Sequence, residues 1–126
     1  MGSVRSGTII FLLLASVVSM LYFSHPVQAQ YTPGTIVNYS TIYSIGMEWN
    51  IAGDSNHNAK ATTEYRQVGT SIWKQALGLM RIDFGGRNMF SGSVLFLQPG
   101  TTYEVKVTIT DPDGGTDTTT QTVATK

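Results

Sequence analysis

The sequence predicts an all-β protein, a seven-stranded antiparallel β-sandwich preceded by an N-terminal signal peptide. Residues 103–109 alternate between apolar and polar side chains behind a Pro99-Gly100 turn, which is the period of a half-buried antiparallel strand. About seven short runs of this kind are separated by turn residues roughly every 8–12 positions, a spacing typical of sandwiches. No amphipathic helical period longer than two turns occurs in the sequence.

The first 29 residues have the layout of a secretory signal peptide. Arg5 supplies the positive n-region, residues 8–23 form an apolar run of 16 residues, and a small-residue site ends at Ala29. We expect cleavage between Ala29 and Gln30. The alternative is an uncleaved membrane anchor, but the apolar run is shorter than the roughly 20 residues that a spanning helix needs. The chain is therefore expected to be secreted, extracellular or periplasmic.

The mature chain of 97 residues is expected to be nearly neutral, and it has no cysteine. The full sequence has 8 Lys and Arg against 8 Asp and Glu, and Arg5 leaves with the leader, so the net charge becomes −1. Because there is no basic run, nucleic acid and anionic membrane surfaces are excluded as partners. Because there is no cysteine, the apolar core alone must stabilise the domain.

The strands before residue 68 become clearer along the chain. Residues 30–34 are a lead-in with a turn signal, and a weak first strand follows at residues 36–37. The second strand covers residues 44–51, whose odd-numbered apolar side chains share one face with Trp49, an expected core anchor. The third strand covers residues 61–67 and alternates in the same way.

Three further strands complete the count around residues 103–109. The fourth covers residues 72–77, and residues 79–83 are expected to extend it. The fifth covers residues 90–97, where Gly92 weakens the pattern or marks a bulge. The last, residues 117–124, is rich in Thr and suits an edge strand with polar exposure.

Aromatic residues and one turn element carry a family resemblance. They are a Trp on the second strand, a Tyr-Arg pair on the third, a Trp beyond it and an LxPGTxY element before the sixth: Trp49, Tyr65-Arg66, Trp73, Leu97, Pro99, Gly100, Thr101 and Tyr103. Together these residues resemble a fibronectin type III domain, and the likeness covers residues 35–122.

The resemblance implies an immunoglobulin-like sandwich in residues 35–126, with strands A, B and E packed against C, C′, F and G. Tyr103 would be the tyrosine-corner residue, its hydroxyl bonding to the backbone a few positions upstream. Leu97 would fill the core under the E–F turn. The cell-adhesive Arg-Gly-Asp of the family's F–G loop is missing, so integrin-type adhesion does not carry over. The segment 79–88 is also long and glycine-rich for the family.

The polar loop after the second strand gives only a weak indication of a metal or catalytic site. His57 is the only histidine after the leader, so a histidine-based metal site or a catalytic triad is not indicated. Asp54-x-Asn56-x-Asn58 is similar to the start of an EF-hand loop, but Ala59 stands where that loop needs glycine, and Tyr65 stands where it needs an acid. We expect these side chains to bond to the loop backbone, with an irregular calcium site as the alternative.

A second acidic loop lies between the last two strands. Asp111, Asp113 and Asp117 could hold extracellular Ca²⁺, whereas Pro112 and the glycines that follow predict an ordinary turn. The turn is the favoured interpretation, and no cofactor is expected.

Three other features of the sequence bear on function. The loop 84–88, with sequence FGGRN, could recognise a partner, although glycine content alone is a weak indication. Glu48 and Glu64 are expected on solvent-facing strand positions and not as an acid–base pair. Asn38 begins an N-x-S glycosylation site, which would be used only in a eukaryotic host.

These observations leave two hypotheses about function. The first is a non-catalytic secreted module that binds a protein or glycan ligand or acts as a spacer, as a monomer or one module of a longer chain. The second is an N-terminal accessory domain of a longer secreted enzyme that acts on polysaccharides or phosphoesters. No catalytic residue is assigned under either hypothesis.

Overall fold

The computed structural model describes residues 2–3 and 30–126, and residues 30–126 form two four-stranded antiparallel sheets. The eight strands are β1 (Tyr31–Ser40), β2 (Ile45–Gly53), β3 (Lys60–Gln67), β4 (Lys74–Gln75), β5 (Met80–Ile82), β6 (Met89–Val94), β7 (Thr102–Thr110) and β8 (Thr116–Ala124). One sheet has the order β1-β2-β6-β5 and the other β4-β3-β7-β8. The predicted all-β architecture of two antiparallel sheets, consistent with a sandwich, is confirmed, with eight strands in place of seven.

Nearly all of the predicted signal peptide, residue 1 and residues 4–29, lies outside the described residues. Within the described part of the chain there is no helix with the length and apolar character needed to span a membrane.

The core lies between the two sheets and is built by the period-two patterns of β2 and β7. Every second residue of each strand is buried, and the two rows are Ile45, Met47, Trp49, Ile51 and Tyr103, Val105, Val107, Ile109. The alternation predicted for both strands is therefore confirmed. Burying a Val, Leu, Ile or Phe side chain stabilises a fold by about 1.5–3 kcal/mol, so these two rows supply much of the driving force for folding.

β1 and β8 are edge strands, and each is longer than the strand at the other edge of its sheet, which is β5 for β1 and β4 for β8. β8 is the edge strand that its Thr-rich sequence predicted. β1 has 10 residues and begins at Tyr31, so it includes residues expected as a lead-in. Its pairing with β2 shifts register between Pro33 and Ile36, which accommodates a proline that cannot donate a ladder hydrogen bond.

The segment after β4 crosses from one sheet to the other, so the expected extension of the fourth strand through residues 79–83 is wrong. The N–H of Leu79 donates to the carbonyl of Ala61 at 3.1 Å, and β5 then pairs with β6 in the opposite sheet. Gly78 permits this crossing because a Cβ there would lie 2.6 Å from the carbonyl oxygen of Ala61.

β6 is shorter than predicted and is regular at its glycine. Gly92 pairs in register with Met47, so it does not mark a bulge between β2 and β6. A Cβ at Gly92 would lie 2.9 Å from Leu79 Cδ2, so the glycine makes room for that buried side chain. The strand ends at Val94, three residues before the predicted end at Leu97.

Candidate binding groove beside Phe96

The connection between β6 and β7 is held at both ends by hydrogen bonds. The N–H of Leu97 donates to the carbonyl of Tyr43 at 2.9 Å, and the Leu97 side chain is buried in the core. The N–H of Gln98 donates to the hydroxyl of Tyr103 at 2.9 Å, and the carbonyl of Gln98 accepts from the Thr125 hydroxyl at 2.6 Å. Because Leu97 and Gln98 are both fixed, the residue before them has little freedom to relax.

That residue is Phe96, which combines an unfavourable backbone with an exposed side chain. Its φ is +60°, and its side chain is 93% exposed. The left-handed region costs a residue with a Cβ about 1–2 kcal/mol relative to the right-handed one. An aromatic ring in water recovers none of that cost through burial. Folding therefore favours glycine at this position, and the phenylalanine needs another explanation.

Phe96 borders two adjoining recesses on the protein surface. The larger has a volume of about 570 Å³ and lies between the β3–β4 hairpin and the β6–β7 connection. The smaller, about 190 Å³, lies between residues 75–77 and 93–95. Tyr65 and Phe96 line both recesses, so the two form one continuous surface, which we call the Phe96 groove.

The groove combines exposed apolar side chains with polar ones and has a positive bias. Exposed Ile72, Leu77 and Leu95 line its two recesses. Lys74 also lines the larger recess and has no ion-pair partner among residues 30–126. Arg66 lines it too, but its Nε lies 2.5 Å from Glu104 Oε2, which neutralises that charge. No Asp or Glu is among the described residues lining either recess.

Among the site residues predicted from sequence, Tyr65, Leu97 and Tyr103 line the larger recess of the groove. The ring centroids of Tyr65 and Tyr103 are 6.2 Å apart. Tyr103 is buried, whereas Tyr65 is partly buried against the core cluster. Pro99 and Gly100 form the exposed turn that follows, where Gly100 has a φ of +57° and its N–H donates to the carbonyl of Lys126.

Trp49 and Trp73 have different environments. Trp49 is 4% exposed, and its indole N–H donates to the carbonyl of Gly34 at 3.1 Å, as expected of a core anchor. Trp73, which the resemblance groups with the core residues, lies outside the core cluster. It is half-buried, with the Arg66 guanidinium 4.4 Å and the Lys106 ammonium 4.3 Å from its ring centroid. Cation–π attraction replaces burial in the core as its packing environment.

The polar loop after β2 is fixed by a buried ion pair. Asp54 is fully buried, and its Oδ1 accepts from the N–H groups of Asn58 and Ala59 at 3.2 and 3.3 Å. This is the backbone bonding that the sequence predicted. Its Oδ2 pairs with the guanidinium of Arg81, which the sequence did not reveal because the two residues are 27 positions apart. The carboxylate is thus occupied by donors that belong to the fold.

The acidic loop after β7 is similarly occupied. Asp111 Oδ1 accepts from the N–H of Asp113 at 2.8 Å, as in a turn, and Asp111 Oδ2 accepts from the N–H of Tyr31. Asp113 accepts from the amides of Asn56 and Asn58, and Asp117 accepts from the Tyr31 hydroxyl at 2.6 Å. In residues 2–3 and 30–126, no group of three or more His, Cys, Asp or Glu residues is arranged to hold a metal ion.

Two remaining loop features lie at this same end of the molecule. His57 Nε2 is 2.7 Å from Asp83 Oδ2, and both side chains are about half exposed. Such an exposed pair contributes little to stability. Phe84, in the loop that was weighed as a recognition element, is 73% exposed but lines neither recess of the Phe96 groove.

Sequence reasoning missed Phe96, although a signal was present. Residues 94–97 are four consecutive apolar residues immediately before the Pro99 turn. A strand with one solvent-facing side buries only alternate members of such a run, so this run predicts at least one apolar side chain at the surface. Neither a search with models of known protein families nor a search of curated proteins finds a match for this chain.

Proposed function

We propose that this chain is a non-catalytic, exported interaction module of the fibronectin type III kind, and that it binds a protein partner through the Phe96 groove. The observation that carries the binding proposal is the conformation of Phe96. In the isolated domain the left-handed backbone of Phe96 lowers stability, and its ring, which is 93% exposed, gains nothing from burial. Burial of the ring against a partner would offset this cost, since aromatic side chains contribute strongly to the free energy of binding at protein interfaces.

The strand partition and the Tyr103 contact support the family assignment. β1, β2 and β6 lie in one sheet, and β3, β4, β7 and β8 lie in the other, which corresponds to strands A, B, E and C, C′, F, G. β5 adds a fourth strand beside β6. The hydroxyl of Tyr103 bonds to the backbone N–H of Gln98, five residues upstream, as a tyrosine corner requires.

A protein partner is favoured over a glycan because of the groove's lining. The exposed ring of Phe96 and the exposed aliphatic side chains of Ile72 and Leu77 offer apolar surface that a protein partner can bury in the centre of an interface. The loops at the opposite end of the molecule use their polar groups internally, at Asp54 and Asp113.

Comparison of the parent chain with Phe96→Gly tests this function. Each chain is immobilised and incubated with the proteins secreted by the organism that produces it, and each chain is also applied to a glycan array. Retained proteins are purified, and their affinity for each chain is measured by titration. We expect a purified protein whose affinity falls at least about tenfold with Phe96→Gly and is unchanged with Phe84→Ala, the matched exposed phenylalanine. Equal retention of every protein by both chains would contradict the proposal, and Phe96-dependent binding to glycans alone would reassign the partner.

A further inference from the structure

We infer that the ligand of the Phe96 groove is an extended peptide segment of another protein, apolar and acidic in sequence, which adds alongside β4 as an extra strand. This inference rests on the proposed function and deepens it by naming the chemistry of the partner. The backbone of β4, the two recesses and the charge of the groove each contribute one part of the argument.

The backbone of β4 offers a free hydrogen-bonding edge. β4 is the outermost strand of its sheet and pairs only with β3. The N–H of Ala76 donates to the carbonyl of Thr63 at 2.9 Å. Because inward- and outward-pointing residues alternate along an antiparallel strand, the N–H and C=O of Gln75 point away from β3. An extended peptide can pair with these two groups by strand addition.

The recesses lie along that same edge. Ile72 and Lys74 line the larger recess, and residues 75–77 line the smaller one. Side chains on one face of an extended peptide are separated by about 6.5–7 Å. A peptide beside β4 therefore directs alternate side chains towards the groove. A bulky apolar side chain fits the recess of about 570 Å³ and packs against the exposed ring of Phe96.

The charge of the groove selects an acidic peptide. Lys74 is unpaired among the described residues, Arg66 is already matched by Glu104, and the lining has no carboxylate. An Asp or Glu near the apolar residue of the ligand would pair with Lys74, whereas a Lys or Arg would be repelled. Complementary charge of this kind contributes more to partner choice and association rate than to affinity.

The same charge argues against a second copy of this chain as the occupant. If the β4 edges of two copies paired, the interface would contain both Lys74 side chains and no compensating acid from either groove. Like charges at an interface are unfavourable.

The test uses a library of short random peptides displayed on phage and selected on the immobilised full chain. We expect enriched sequences with a large apolar residue and an Asp or Glu within about two positions of it, as the alternation of a strand requires. A synthetic enriched peptide is then titrated against the parent, Phe96→Gly, Lys74→Glu and Phe84→Ala. Phe96→Gly and Lys74→Glu should each weaken binding about tenfold or more, and Phe84→Ala should not.

Two measurements separate strand addition from other modes of binding. In the complex, hydrogen exchange at the Gln75 amide should slow because the peptide pairs with it. A peptide in which Lys replaces the acidic residue should recover affinity for Lys74→Glu. Phe96-dependent binding without an acidic preference, or with unchanged exchange at Gln75, would overturn this inference and leave the proposed function standing.

Two further outcomes would also contradict the inference. If no selected peptide depends on Phe96, the inference is wrong, and the proposed function is decided by the comparison of protein capture by the parent and Phe96→Gly chains. If sedimentation shows a concentration-dependent dimer of the full chain that Phe96→Gly abolishes, the occupant is a second copy and the inference is wrong.

Discussion

Tyr103 shows how one side chain can serve both the core and a turn. Its ring is buried, and its hydroxyl accepts the 2.9 Å hydrogen bond from Gln98 that fixes the β6–β7 connection. Tyr103→Phe leaves the ring in place but leaves the Gln98 N–H without this partner. We expect a loss of about 1–3 kcal/mol in the free energy of unfolding, measured by urea denaturation.

The control for this substitution is Tyr43→Phe. Tyr43 is 60% exposed, so loss of its hydroxyl should change stability by less than about 0.5 kcal/mol. Equal stability of the parent and the Tyr103→Phe chain would show that the hydroxyl does not hold the connection.

The buried pair of Asp54 and Arg81 makes a second prediction about single residues. Asp54 is fully buried and the Arg81 side chain is 13% exposed, so Arg81→Met leaves a carboxylate in the interior without its countercharge. We expect a loss of about 3–5 kcal/mol by urea denaturation. Adding Asp54→Asn to Arg81→Met should recover part of the loss because the uncompensated charge is removed.

The exposed pair of His57 and Asp83 is the matched comparison for the buried one. Both side chains are about half exposed, so His57→Ala should cost less than about 1 kcal/mol. If Arg81→Met were no more damaging than His57→Ala, the ion pair would not be what orders the loop after β2.

The strands that could be predicted from the sequence are those whose pattern is local, and the elements that were missed depend on contacts between distant residues. The alternation in β2 and β7 is local information, so both strands and their buried faces were predicted. β5 depends on a close approach of Gly78 to Ala61, and the position of Trp73 depends on Arg66 and Lys106. Such contacts join residues that are distant in sequence, so a periodic pattern in one strand contains no information about them.

Tyr31 links the two sheets and makes stability dependent on pH. It lies on β1, and its hydroxyl donates to Asp117 on β8 at 2.6 Å. Burial first, and then this hydrogen bond to a carboxylate, raise the pKa of Tyr31 above its ordinary value. Ionisation of Tyr31 therefore favours the unfolded chain. Its contribution is fully present below the unfolded pKa of about 10 and is lost as the pH rises towards the folded pKa.

We therefore expect the parent chain to lose more stability than Tyr31→Phe between about pH 8 and about pH 11. Urea denaturation of both chains at the two values measures the difference, and other groups that titrate in this range are common to both. Parallel losses in the two chains would contradict a raised pKa for Tyr31 in the folded state.

At the scale of the whole molecule, the two ends of the sandwich differ in how their side chains are used. The end that contains Asp54, Asp111 and Asp113 directs its polar groups into internal hydrogen bonds. The opposite side, around β4 and Phe96, leaves at the surface a backbone edge, apolar side chains and Lys74, which has no ion-pair partner within residues 30–126. We propose that side for binding because its exposed aromatic ring and free strand edge do not contribute to folding.

The groove itself could be read from the sequence only in part. Tyr65, Leu97 and Tyr103 were recognised through the resemblance, and all three line the larger recess. Phe96 was missed because its importance lies in its φ of +60°, which no periodic pattern in the sequence indicates. The contribution of β4 was missed because it depends on the chain leaving that sheet at Gly78.

The central claim is that Phe96 is present for binding and not for folding, and the free energy of unfolding of Phe96→Gly tests it most directly. Glycine relieves about 1–2 kcal/mol of left-handed strain and costs about 0.5–1 kcal/mol through the freedom of the unfolded chain. We predict that urea denaturation will show Phe96→Gly to be as stable as the parent or more stable by up to about 1 kcal/mol. The adjacent core substitution Leu97→Ala should lose about 2–5 kcal/mol in the same experiment. A loss of more than about 1 kcal/mol in Phe96→Gly would show that the ring serves the fold and would contradict the claim.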